Sequence, residues 1–239
     1  MKKTLFYTVL IAVPVSVVIF FIFTGNSPNI RDHNNENDMK NTEQIYLPSP
    51  EHEGKSFEEI LNERRSERNF TDESLSKYEL SQLLWAGRGV TDEERGFKTA
   101  PSAGATYPLD ILVDVRNVRD LSPGIYRYDP YEHRLDMKKH GSERDAIYQA
   151  SLNQESIKTA PVLFIMIGTY ERITPRYGER GVRYTHIEAG HISQNIYLQA
   201  TSMELGTVAI GAFEDETIKE ILGTDAEPIY LMPVGRIEI

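Results

Sequence analysis

Three arginines and a hydroxyl fall within five positions in Arg64-Arg65-Ser66-Glu67-Arg68. Guanidinium forks pair bidentately with phosphate oxygens, and a serine hydroxyl or backbone N–H fills the remaining acceptors. The set suits a phosphate monoester. The competing reading is a solvated, charged helix end. A second stretch, Pro101-Ser102-Ala103-Gly104-Ala105, holds only small residues. Such a loop lets backbone N–H and C=O groups approach a flat ligand, although a plain connection would look the same. His186 and His191 are five apart, about 140° around a helix, so they do not share a face. No metal site is expected from them. Gly206 and Gly211 have the wrong spacing for a dinucleotide fingerprint. No Ser/His/Asp order stands out, and no catalytic acid or base is assigned.

The elements that must carry these groups follow from pattern and capping. Ser56 with Glu59, and Ser76 with Glu79, form capping boxes. The first opens a short helix that ends at the arginines. The second opens a helix with Leu80, Leu83 and Leu84 on one face, closed by Gly87 or Gly89, with Trp85 in the core. Leu109, Ile111, Val113 and Val115 alternate with polar residues, which predicts a half-buried strand. Residues 125–128 and 134–137 predict a hairpin, and residues 146–152 a short helix. The run in 161–169 predicts a strand buried on both faces. A charged loop over 170–183 leads to a long helix over 185–204, where Ala189, Gly190 and Ser193 permit a close helix crossing. A short strand and glycine turn over 206–213, a helix over 215–222 stopped by Gly223, and a strand over 228–234 complete the chain. Strands and helices do not alternate regularly, so the class is α+β.

The chain has 239 residues, a formal net charge of −10 and no cysteine. The acidic balance argues against a nucleic-acid partner. The missing cysteines exclude disulfides and thiolate chemistry. Residues 5–24 are almost wholly apolar, about 20 residues spanning ~30 Å as a helix. They read as a transmembrane anchor over residues 1–24, with a cleavable signal segment as the rival. Lys2 and Lys3 put the N-terminus in the cytoplasm and the rest of the chain outside the cell membrane. Residues 25–44 read as a disordered polar tether, and residues 45–239 as the domain. Ile45-Tyr46-Leu47-Pro48 are expected to dock onto it.

Together the motifs resemble the nitroreductase family of flavoproteins. Arg64-Arg65-Ser66-x-Arg68 matches the family's N-terminal phosphate motif. Pro101-Ser102-Ala103-Gly104-Ala105-Thr106-Tyr107-Pro108 is similar to the wording of the SagB-type dehydrogenase branch, as are Gly190-His191-x-x-Gln194-Asn195 and Pro233-Val234-Gly235-Arg236. The resemblance implies a nitroreductase-like α+β fold, with a central mixed or antiparallel sheet flanked by helices, in an intertwined homodimer that binds FMN at the subunit interface. It assigns Arg64, Arg65, Ser66 and Arg68 to the phosphate and ribityl chain, with Arg236 a second anchor. It brings Pro101, Ser102, Ala103 and Gly104 from the partner subunit over the flavin ring. Ile210, Gly211 and Ala212 would lie along the ring. The implied activity is transfer of hydride or electrons from a donor such as NAD(P)H to a small-molecule acceptor, nitro or quinone. One alternative is a dehydrogenase maturing a peptide natural product. Azoline-oxidising relatives use a lysine–tyrosine pair, and Arg176-Tyr177 and Arg183-Tyr184 both lack the lysine. The alternative of another class is a non-catalytic flavin-binding or interaction module at the membrane.

Overall fold

The computed structural model describes residues 42–237. The predicted anchor, and the tether up to residue 41, lie outside the described residues. Among the described residues no helix is long and apolar enough to cross a membrane.

A seven-stranded sheet organises the chain. Its strands are β1 (Gln44–Tyr46), β4 (Leu109–Val115), β5 (Gly124–Asp129), β6 (Arg134–His140), β7 (Val162–Gly168), β8 (Leu205–Thr207) and β9 (Glu227–Arg236). They lie in the order β1-β6-β5-β4-β7-β9-β8, and every pair is antiparallel. A separate two-stranded ribbon joins β2 (Val90–Asp92) to β3 (Phe97–Lys98). The helices are α1 (Phe57–Glu63), α2 (Lys77–Arg88), α3 (Arg144–Ala150), α4 (Glu155–Thr159), α5 (Thr174–Tyr177), α6 (Arg180–Ser202) and α7 (Asp215–Leu222). The expected α+β class, with an antiparallel sheet flanked by helices, is the architecture found.

Both faces of the sheet are covered. On one, Leu83 and Leu84 of α2 and Ile192 and Ile196 of α6 pack on Ile111, Val113, Phe164 and Met232. On the other, Ile147, Ile157 and Ile218 from α3, α4 and α7 pack on Leu112, Leu163, Ile165 and Leu231. This two-sided cover is why all seven residues of β7 are buried. Ile45 and Leu47 pack against the first core, and β1 pairs with β6, so the predicted docking segment does dock.

Four expectations need correction. β4 is buried along its whole length rather than half-buried, because Asp110 and Asp114 meet arginines inside the fold. Trp85 is only half-buried and leans on the His52 ring, 5.0 Å between centroids. The short helix expected over 146–152 forms slightly earlier, as α3, and an unpredicted second helix, α4, follows it beyond Leu152 and Asn153, which hold φ of 56° and 54°. The loop expected over 170–183 is largely helical. Pro175 stands in the first turn of α5, where a missing N–H costs nothing. α6 then starts at Arg180, with no side-chain cap to mark it.

Candidate functional site

Both capping boxes form as the sequence predicts, and the first delivers the arginines. Beyond α1 the chain runs beside β8: Glu67 N–H donates to Thr207 O at 2.9 Å. Gly206 is required there, because a Cβ on it would lie 2.7 Å from Glu67 Cβ. Arg64 lies over the Tyr197 ring at 5.2 Å. The Tyr197 hydroxyl shares a hydrogen bond with Ser66 Oγ at 3.0 Å and accepts Ala209 N–H at 2.8 Å. One side chain of α6 thus joins the arginine motif to the segment leading into Ile210, Gly211 and Ala212. Nothing local marked Tyr197, since its contact with Ser66 spans 131 positions. Tyr197→Phe should keep the ring under Arg64 but strand Ala209 N–H. A cost of about 1–2 kcal/mol is expected in urea unfolding.

The predicted phosphate residues differ in their engagement. Arg65 turns its guanidinium onto the carbonyls of Asn62 and Arg64, both at 2.8 Å, and so finishes α1. Arg68 reaches only Ser66 O, at 3.5 Å. Among the described residues, none of Arg64, Arg65 and Arg68 has a carboxylate partner. Arg236 differs: its Nε lies 3.2 Å from Glu73 and its Nη2 2.6 Å from Glu79. Its carbonyl accepts from Thr71 N–H, and its strand pairs with β8 at Leu205. Ile210 exchanges both backbone hydrogen bonds with Leu231, at 2.9 Å each, and its side chain is in the core. Gly211 and Ala212 are exposed.

Pro101, Ser102, Ala103 and Gly104 lie towards the other end of α6. Gly104 holds φ 59°, a backbone conformation that favours glycine. Its carbonyl accepts from Arg176 at 2.9 Å. Ser102 Oγ accepts Tyr107 N–H at 2.9 Å and lies near Glu188 of α6. Between Glu188 and Tyr197 lie nine helical steps, about 14 Å of axis. Beside the start of α6 an open groove of about 570 Å³ is lined by Glu179, Arg180, Val182, Arg183 and His186. His186 meets the Tyr170 hydroxyl at 2.9 Å, and His191 is exposed.

A buried polar cluster backs this loop, and sequence reasoning missed it. Asp110 pairs with Arg88 at 3.0 Å, Arg127 at 2.9 Å and Arg172 at 3.0 Å. Burial alone would raise its pKa. The three guanidiniums reverse that and hold the carboxyl well below the usual range. The only hint in the sequence was an acidic residue at an alternating position of an apolar strand. Lys98 Nζ lies over the Tyr107 ring at 4.1 Å and the Tyr131 ring at 4.6 Å. Burial, aided by Arg88, lowers its pKa to about 7. Glu188 is 2% exposed, and its Oε2 has no hydrogen-bond partner. Burial raises its pKa, opposed by Ser102, Arg88 and Lys98.

Comparison with known proteins matches residues 61–236 to the family model described as "Nitroreductase family". The protein named "Putative nitroreductase MJ1384" from Methanocaldococcus jannaschii is 48% identical over 198 residues, 83% of this chain and 98% of that protein. Two solved structures share the fold at 20% identity. One is the E. coli microcin synthetase McbBCD complex with truncated pro-MccB17 bound, with a TM-score of 0.64 over 84% of this chain and 80% of that one. The other is the NADPH:FMN oxidoreductase from Vibrio harveyi complexed with NAD+, with a TM-score of 0.54 over 76% of this chain and 68% of that one.

Proposed function

The chain belongs to the nitroreductase family, and on that premise we propose that it is an FMN-dependent oxidoreductase, passing hydride or electrons from a donor such as NAD(P)H to a small nitro or quinone acceptor. The carrying observation is the cationic corner formed by Arg64, Arg65 and Arg68 with Ser66, which has no carboxylate partner among the described residues. Uncompensated guanidiniums beside a hydroxyl suit a dianionic phosphate. The Vibrio harveyi structure, named for FMN, supports that identity of ligand. When bound, FMN supplies the hydride chemistry. The chain's own residues hold and orient it. Arg64 and Arg68 would hold the phosphate, and exposed Gly211 and Ala212 would leave room for a ring. The loop of Pro101 to Gly104 would offer small residues to the ring.

The two sets of binding residues sit towards opposite ends of α6, which supports a homodimer that brings them together from different chains. Gly190 fits that reading, since a Cβ there would meet nothing within 4 Å in its own chain. Gly190→Leu should therefore weaken the dimer by about 1–3 kcal/mol through overpacking. Sedimentation of dilution series checks it, and an unchanged dimer removes Gly190 from the interface.

The deciding experiment is purification of the chain. A yellow protein with an FMN spectrum that oxidises reduced nicotinamide with nitro or quinone acceptors is expected. FMN without turnover would leave a flavin-binding module, and a colourless protein would overturn the reading. A second reading, a dehydrogenase acting on a peptide precursor, is favoured by one observation. Lys98 meets Tyr107 in space although no adjacent lysine–tyrosine pair was found at 176–177 or 183–184. The location of the domain outside the cell, tethered by residues 1–24, is likewise proposed. Protease added to intact cells should digest the domain before lysis.

A further inference from the structure

We propose that Tyr197 is a positioning residue that sets cofactor specificity through Ser66: its hydroxyl fixes the direction of a hydrogen-bond relay, so that Ser66 stands as a donor to the cofactor phosphate and the corner selects a phosphorylated flavin over the bare ring system. The inference rests on the arginine corner being a phosphate site, the reading given above.

The relay begins at a backbone group. Ala209 N–H donates to the Tyr197 hydroxyl oxygen at 2.8 Å. That backbone is held in place, because the next residue, Ile210, exchanges both its hydrogen bonds with Leu231 of β9. The Tyr197 oxygen is therefore already an acceptor, and it has one proton to place. Tyr197 is 8% exposed. Its oxygen has one further hydrogen-bond partner among the described residues, Ser66 Oγ at 3.0 Å. Were Ser66 the donor across that contact, the Tyr197 proton would have no acceptor in a nearly buried place. Leaving such a bond unmade costs more than a typical one gains. Tyr197 O–H therefore donates to Ser66 Oγ.

Ser66 then has its own proton left over. The residue is exposed, and its side chain makes no other hydrogen bond among the described residues. The proton is free for a ligand of the corner. A doubly ionised phosphate offers only acceptors, and it takes this donor together with the guanidiniums. A chain of hydrogen bonds running one way polarises each member and strengthens the last donor. Arg64 belongs to the same arrangement, since its guanidinium lies over the Tyr197 ring at 5.2 Å. The ring supports one donor of the corner and the hydroxyl directs another.

Fluorescence titration of the flavin-free chain with FMN and with riboflavin tests the relay. Tyr197→Phe keeps the ring and removes the relay. It should lower FMN affinity about threefold to tenfold and riboflavin affinity by less than about twofold. In Ser66→Ala, which lacks the last donor, adding Tyr197→Phe should cost FMN no further affinity, as for two members of one network. Equal losses for the two ligands, or an undiminished Tyr197→Phe loss in Ser66→Ala, overturn the proposal and leave the cofactor reading standing. Should Tyr197→Phe fail to fold, a fluorinated tyrosine at position 197 replaces it, as a stronger donor of nearly the same shape. FMN affinity should then rise relative to riboflavin, and an unchanged ratio overturns the proposal. A wild-type chain that binds no FMN, or binds riboflavin equally well, removes the phosphate reading itself and the proposal with it.

Discussion

Asp110→Ala should destabilise the fold by about 3–5 kcal/mol, the range for breaking a buried ion pair from one side. Against a total of about 5–15 kcal/mol for a domain, that is enough to leave part of the population unfolded. The cost arises because Arg88 stays behind. Its side chain is only 5% exposed, and its Nε already lacks a partner. Arg127, at 43% exposed, can turn to water, so Arg127→Ala should cost only about 0–1 kcal/mol. Urea unfolding of the two variants separates the roles. A loss below about 1 kcal/mol for Asp110→Ala would mean that the cluster is not the buried unit described. The pH dependence has a definite sign. The folded pKa of Asp110 is depressed, so its contribution is present above the ordinary carboxylate pKa of about 3.9. It is lost as pH falls through the lower folded value. Below pH 4 wild type and variant should therefore converge.

FMN affinity should fall about tenfold or more in Arg64→Ala, and further in Arg64→Ala/Arg68→Ala, since each removes a charge-assisted contact to the phosphate. Arg65→Ala should lose less affinity, because Arg65 holds the carbonyls that end α1. Titration followed by flavin fluorescence measures all three, with circular dichroism to verify folding. Wild-type affinity in the double variant would overturn the phosphate assignment. The graded order tests more than the motif does, because Arg64-Arg65-Ser66-x-Arg68 gives no reason to rank its arginines.

What was legible in the sequence was local. The capping boxes at Ser56 and Ser76 need only a residue three positions on, and both formed. The apolar run of β7 declared two-sided burial because no polar residue interrupts it. The start of α6 escaped notice for a local reason as well: its first turn is polar and has no side-chain cap. The site was legible where motifs are contiguous. It was illegible where it depends on contacts between distant segments. Tyr197 reads as an ordinary helix tyrosine until Ser66 and Ala209 converge on its hydroxyl. Asp110 reads as the polar side of a half-buried strand until three guanidiniums meet it. The sequence does not single out Glu188 at all, yet it is buried in the fold.

The position of β9 has a consequence for biosynthesis. The strand is last in the chain but interior in the sheet, pairing with β7 on one side and β8 on the other. A ribosome delivering this chain presents β7, seven buried residues in sequence, long before its neighbour emerges. Until residues 227–236 leave the exit tunnel, β7 is an apolar open edge, the kind that recruits other chains. Folding from the N-terminus onward therefore stalls with the sheet unsealed. Entry of β9 between β7 and β8, rather than completion of the arginine corner, is what seals the sheet.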